Sequence, residues 1–327
     1  MTLESFDKSS NLQRETRSSL VSRQHQDRNA SGIFISLSVF PAIILVVLFS
    51  ALLFRAWPIL RQIPLADLLF GQTWKPSLGE FGFMPFIMGS IWVTAVAMIF
   101  AIPVSLFTAI YLSEYARGFT RTIIKPIIDI LAGIPSVVYG LWGVLVIVPW
   151  VQNTLRPFIN QTFPYIGLFE SKNPTGYSIL SGGLVLAVMV MPFIIAISYE
   201  IMRTVPRGLH EASLGVGATR WQTVRYVIIP KTITGLVAGI VMGTSRAFGE
   251  TIAVLMVIGN VPNMPKSIFD AAYPLPALIT NNYGEMMSIP MYDAALLGAA
   301  LLLMVIVLIF NLISAVVLRR MMLRSMA

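Results

Sequence analysis

Five stretches of this chain run for 25 residues or more without a charge: 29–54, 81–113, 130–155, 173–199 and 294–318. At 1.5 Å rise per residue, about 20 apolar helical residues cross a hydrocarbon core of roughly 30 Å. The runs are too long for barrel strands and do not alternate with period two, which excludes a transmembrane barrel. A sixth apolar stretch is interrupted by Arg246 and Glu250 but is uncharged from Thr232 to Ser245 and from Thr251 to Asn260. Helical cores are therefore expected near 33–54, 86–112, 126–149, 179–201, 233–258 and 293–317. The fold class that follows is an all-α membrane protein with six transmembrane helices.

Composition supports lipid as the second solvent. Charged residues make up 12% of the 327 and hydrophobic residues 56%. A soluble domain carries about 25% charged residues, so this chain could not cover a globular surface, and it is too apolar for a disordered scaffold. Without cysteine, disulfides, thiolate metal sites, iron–sulfur clusters and cysteine nucleophiles are excluded. With only His25 and His210, a histidine metal site is nearly excluded as well, and no metal or other cofactor is expected in the chain.

The net charge of +8 follows the membrane and not a nucleic-acid surface. With an even number of spans both termini share a side. Placing the N-terminus in the cytoplasm puts 16 of the 23 Lys and Arg on that side, including Arg117, Arg121, Lys125, Arg203 and Arg207, and six on the other. The positive-inside rule then sets both termini as cytoplasmic, in the inner (plasma) membrane. Residues 1–30 read as a polar cytoplasmic tail. The apolar run after it is too long for a signal peptide and has no A-x-A site, so 31–327 is expected to form one transmembrane domain.

Outer loops fall near 55–84, 150–178 and 259–291. The segment Trp57–Phe70 suits a helix lying along the interface. The cytoplasmic loop 203–231 is better specified. Residues 204–216 read as a short amphipathic helix with Gly217 as its stop. Thr219 and Gln222 have the spacing of a capping box for a second helix, which meets Pro230.

The fifth span carries the most information. Gly235, Gly239 and Gly243 form a G-x-x-x-G-x-x-x-G stripe for close helix packing. At about 100° per residue, Arg246 and Glu250 fall on the same face. An arginine in mid-membrane costs on the order of 3 kcal/mol even on the mildest scale, so this face meets protein or a water-filled path. Two readings stand. The two residues form an i,i+4 pair that neutralises itself for insertion, although Arg before Glu is the weaker order. Alternatively, the planar fork of Arg246 meets a passing oxyanion bidentately, while Glu250 holds the arginine between turnovers and limits the anion's dwell. Gly133, Ser136 and Gly140 are candidates for lining the path, with packing an equal alternative. Asp129 is expected to pair with Lys125, Glu200 to lie near Arg203, and His210 to be a surface residue.

Glu211-Ala-Ser, Gly217 and Val227-Ile-Ile-Pro230 resemble the EAA motif of ABC importer permeases, with Ser213, Val227 and Ile229 as conservative departures. Gly133-Ile-Pro-Ser-Val-Val-Tyr-Gly140 and Arg246-Ala-Phe-Gly-Glu250-Thr-Ile-Ala-Val-Leu-Met are similar to the phosphate branch, and within it to the PstC family more than its paralogue PstA. The resemblance covers roughly 33–320. It implies the type I ABC importer permease (MetI-like) fold and a subunit that passes inorganic phosphate from periplasm to cytoplasm. It further implies a PstA-like second permease, two PstB-like ATPase subunits and a PstS-like periplasmic phosphate-binding protein. Glu211, Ala212 and Gly217 would couple to the ATPase, Glu211 through polar contacts and the other two by permitting close approach. ATP and Mg would be bound by that partner, since none of this chain's six lysines lies in a G-x-x-x-x-G-K-[ST] motif. The alternatives are a permease for another tetrahedral oxyanion (sulfate or molybdate), a stand-alone anion channel or secondary transporter, and an intramembrane enzyme. The last has no H-E-x-x-H and no histidine within a span.

Overall fold

The computed structural model describes residues 36–162, 166–170, 173–284 and 291–326, with Phe34 and Ile289. The tail 1–30 lies outside the described residues. Six helices are long and apolar enough to cross a membrane: Ser36–Gln62, Met84–Tyr115, Ser136–Thr162, Ile179–Met202, Arg220–Phe248 and Tyr292–Val316. They are spans 1 to 6 below.

Residues 36–54 belong to one compact unit and residues 55–326 to another. Within 36–54 the chain is helical throughout. Ser38 and Ser50 each donate a hydroxyl proton to the carbonyl four residues back, at Phe34 and Val46. Internal satisfaction of this kind keeps polar groups compatible with a lipid-facing helix.

In residues 55–326, span 1 continues to Gln62 and is cut off before Pro64. A short helix, Leu65–Phe70, follows. A small antiparallel hairpin pairs Trp74 with Phe81 and Lys75 with Glu80, its turn closed by Gly79 at φ 74°. The Trp74 ring packs on Phe81, Phe83, Phe86 and Tyr292, with centroids 5.1–6.2 Å away. This aromatic cluster roots the hairpin on the bases of spans 2 and 6, and nothing in the period of the sequence announces it.

Spans 2 and 4 form the centre. Both helices are apolar all round: neighbours cover most of span 4, whereas span 2 keeps an exposed apolar face that includes Ile99 and Phe107. Gly182 and Gly183 let span 4 approach Val93, Val96 and Ala97 of span 2. A bond from the Ser105 hydroxyl to the Met191 carbonyl, 3.3 Å, ties the same pair.

Two spans are displaced from the sequence expectation. The third begins at Ser136 instead of near 126. Residues Gly118–Ala132 form a separate helix, interrupted at Gly133–Pro135. Pro135 itself is extended, at φ −58° and ψ 139°, so an unbroken apolar run becomes two helices. On the first of these, Lys125 reaches Asp129 at 3.8 Å and Glu200 of span 4 at 3.0 Å. The partner of Glu200 is therefore Lys125. The fifth span starts at Arg220 and ends at Phe248, so the helix does not stop at Pro230. A π-helical turn, Val224–Ile228, precedes that proline and shifts the hydrogen-bond register where an N–H is missing.

Candidate functional site

The loop between spans 4 and 5 is built as two ordered pieces. Its first helix is Arg207–Gly215, shorter than the expected 204–216 because Pro206 sets its start. The helix closes in a Schellman arrangement: the Gly217 N–H donates to the Leu214 carbonyl and the Ala218 N–H to that of Ser213. Gly217 has φ +86°, and a Cβ added there would meet nothing within 4 Å of the chain. Within this chain the glycine serves the left-handed turn and not close packing. The capping box is complete. The Thr219 hydroxyl accepts from the Gln222 N–H at 3.2 Å, and the Gln222 side chain accepts from the Thr219 N–H at 2.7 Å. The Ser213 and Thr223 hydroxyls, 2.9 Å apart, pin the two helices to each other.

Glu211 and Ala212 are exposed on the first helix. Leu209, Leu214, Val216 and Trp221 add exposed apolar surface to the same loop. His210, expected at the surface of this loop, is partly exposed. Its Nε2 lies 3.1 Å from Glu114 Oε2 at the end of span 2.

The second cluster forms where two helices break. The helix of span 5 ends at Phe248, Gly249 and Glu250 turn back onto the carbonyls of Ser245 and Ala247, and a new helix, Ile252–Val257, begins after Thr251. Arg246 is therefore in the last helical turn, and Glu250 is outside the helix. The expected i,i+4 geometry on one continuous face does not hold for Glu250. Among the described residues Arg246 and Glu250 form no ion pair. Up to Arg246 the helix is continuous and keeps the glycines on one face. A Cβ on Gly235 would meet Ile201, on Gly239 Ile197 and on Gly243 Ile194, all on span 4. Arg246 continues that face, its guanidinium carbon 5.3 Å from the centre of the Phe193 ring of span 4. Arg246 is exposed in this chain, and an exposed cation–π contact contributes about 0.5–1 kcal/mol, less than the insertion cost of the charge.

The break at Gly133–Pro135 lies beside this cluster. Tyr139 lies one turn into span 3. Its hydroxyl donates to the Leu131 carbonyl at 2.8 Å, bridging the break. Gly133 and Ser136 flank the break. Gly140 is buried, and a Cβ there would come within 2.6 Å of Met256 Sδ and 3.1 Å of Ala253 Cα. Of the three candidate lining residues, Gly140 is thus a packing position that joins the two broken helices. Phe193 and Tyr139 are the residues of this cluster that sequence reasoning missed. Tyr139 carried a signal, a hydroxyl in a span next to a proline. Phe193 carried none, since its importance lies in which helix it faces.

Residues 101–323 match the family described as the binding-protein-dependent transport system inner membrane component. The chain belongs to that family. This permease is 36% identical over 290 residues to the phosphate transport system permease protein PstC of Xylella fastidiosa, covering 87% of its own length and 89% of the relative's. It is 36% identical to a protein of the same description from Mesorhizobium japonicum, over 77% and 78% of the two chains. A solved structure of the MetNI methionine ABC transporter in an inward-facing conformation superposes with a TM-score of 0.52 at 20% identity, over 71% of this permease and 93% of that chain. That likeness shows the type I ABC importer permease fold. The permease is a transport component with six membrane-spanning helices, as the family description and the span count require.

Proposed function

We propose that this permease passes inorganic phosphate from periplasm to cytoplasm in an ATP-driven importer. Its partners are a PstA-like second permease, two PstB-like ATPases that bind the ATP and Mg, and a PstS-like binding protein on the periplasmic side. Both termini and the 203–231 loop face the cytoplasm. The names of the relatives support phosphate as substrate. The observation that carries the reading is Arg246: a guanidinium stacked on Phe193 at a helix break, without a carboxylate partner among the described residues.

A guanidinium held this way presents its fork to an oxyanion, which it can bind bidentately. The aromatic stack, and not Glu250, stabilises the charge while the path is empty. Glu250, in the unwound turn beside it, keeps negative charge near the site and shortens the anion's stay. On the cytoplasmic side Glu211, Ala212 and the Gly217 turn present the first loop helix to the ATPase, which moves spans 4 and 5 through it.

The test is ATP-dependent phosphate uptake by the complete complex in proteoliposomes, challenged with excess sulfate. Uptake that needs ATP and ignores sulfate supports the proposal. Uptake without ATP would make this a channel, and competition by sulfate would remove phosphate as the preferred substrate.

A further inference from the structure

A second basic cluster lies far from Arg246, at the base of the coupling loop. A cavity of about 330 Å³ there is lined by Arg121, Arg203, Arg207, Glu114, His210 and Glu211, among others. The three arginines come from three elements: the helix Gly118–Ala132, the end of span 4 and the first loop helix. None of them is in an ion pair among the described residues. Two are held in place by neutral acceptors. Arg121 donates to the carbonyls of Leu112 at 3.1 Å and Ser113 at 2.9 Å. Arg203 donates to the Tyr199 hydroxyl at 3.2 Å and stacks on that ring at 5.7 Å. Of the two carboxylates, Glu114 is occupied by His210 and by the Ser113 hydroxyl. Glu211 remains exposed at the rim.

Solvated arginines that only obey the positive-inside rule would point apart and keep their rotamer freedom. Here three guanidiniums share one cavity and two are already ordered, so an anion entering it loses little to side-chain entropy. We propose that this cavity binds a phosphate-group oxyanion, either free inorganic phosphate or a lipid headgroup. Arg207 then draws the loop helix toward Arg121 and Arg203. Span 2, span 4 and the coupling helix become one clamped unit. Glu211 opposes the anion's charge and keeps binding reversible. An anion accumulating on this side therefore restrains the helix through which the ATPase acts.

The site does not depend on what crosses the membrane, so its test uses the Arg246→Ala background, where path binding is removed. The complete complex is placed in phosphatidylcholine nanodiscs and titrated with inorganic phosphate at constant ionic strength, with chloride as the control. Hydrogen exchange of residues 207–215 is the readout. Saturable protection is expected with phosphate and not with chloride. Arg207→Gln should shift half-saturation roughly tenfold, the size of one lost charge-assisted contact. Arg203→Gln/Arg207→Gln should abolish protection. Equal curves for all variants, or no protection from either added phosphate or the anionic lipid of the second arm, would overturn the site. A second arm uses phosphatidylglycerol nanodiscs. Protection there before phosphate is added, lost in the double variant, identifies a headgroup as occupant. Protection that still requires phosphate identifies the free anion.

Discussion

His210 Nε2 sits 3.1 Å from Glu114 Oε2, joining the first loop helix to the end of span 2 across 96 residues of sequence. Both side chains are largely shielded, at 25% and 13% exposure, and Glu114 also accepts from the Ser113 hydroxyl. A shielded contact of this kind fixes the loop helix more firmly than an exposed pair would.

Breaking that contact should loosen the loop without unfolding the spans. Glu114→Gln or His210→Ala is expected to speed hydrogen exchange in 207–215 and to raise the ATP hydrolysed per phosphate moved. Unchanged exchange in both variants would show that the loop helix is held by its apolar contacts alone.

Arg246→Ala should abolish uptake while the complex still assembles and reaches the membrane. Arg246→Lys keeps the charge but loses the fork, so uptake is expected to fall well below that of the parent without vanishing. Radiolabelled phosphate uptake beside a pull-down of the complex decides it. Normal uptake by the alanine variant would leave the residue a structural role only.

Glu211→Ala should leave phosphate delivery and the helical fold intact while uncoupling ATP hydrolysis from transport. The side chain is exposed and holds nothing in this chain together. Unchanged uptake and unchanged ATPase binding would remove the docking role.

Much of this was legible in the sequence because lipid leaves few choices. Uncharged runs gave six spans, and Gly217, Thr219 and Gln222 gave the turn and the cap between two loop helices. The displaced starts of spans 3 and 5 were not legible from hydropathy. Pro135 lies inside an apolar run whose average hides the break, and the π-turn before Pro230 lets a helix continue where a proline usually ends it. Arg246 was placed on the correct face because residues 229–248 keep helical period. Glu250 was misplaced because Gly249 ends that period one residue earlier. Phe193 and Glu114 could not be found at all, since each matters through a contact with a distant helix.

Lys125 offers a pH test with a defined sign. Its pKa is raised above the ordinary 10.5, first by the hydrogen bond to Glu200 and that carboxylate's charge, then by Asp129. A raised folded value means that the contribution is complete below the unfolded pKa and is lost as pH climbs through the folded one. Attachment of the helix Gly118–Ala132 to span 4 should therefore be flat from neutral pH to about pH 10 and weaken only beyond it. Lys125→Met should remove this alkaline step. Exchange rates of 118–132, corrected for intrinsic pH dependence, would show a step near neutrality if another group controlled the contact.

The glycine face of span 5 predicts a graded series. A Cβ on Gly243 would stand 2.6 Å from Ile194 Cγ1 and on Gly239 2.8 Å from Ile197 Cγ2, so alanine at either must push span 5 away from span 4. Overpacking of this kind costs about 1–3 kcal/mol. It also carries Arg246 away from Phe193, because the guanidinium sits on the same face one turn further on. Gly243→Ala should therefore impair transport more than Gly239→Ala for a similar loss of thermal stability. Gly217→Ala should cost about 1–2 kcal/mol through its left-handed backbone and act on coupling instead. Uptake and ATPase rates measured side by side separate the cases. If Gly243→Ala transported as well as the parent, the distance between Arg246 and Phe193 would not matter to the passage of the anion.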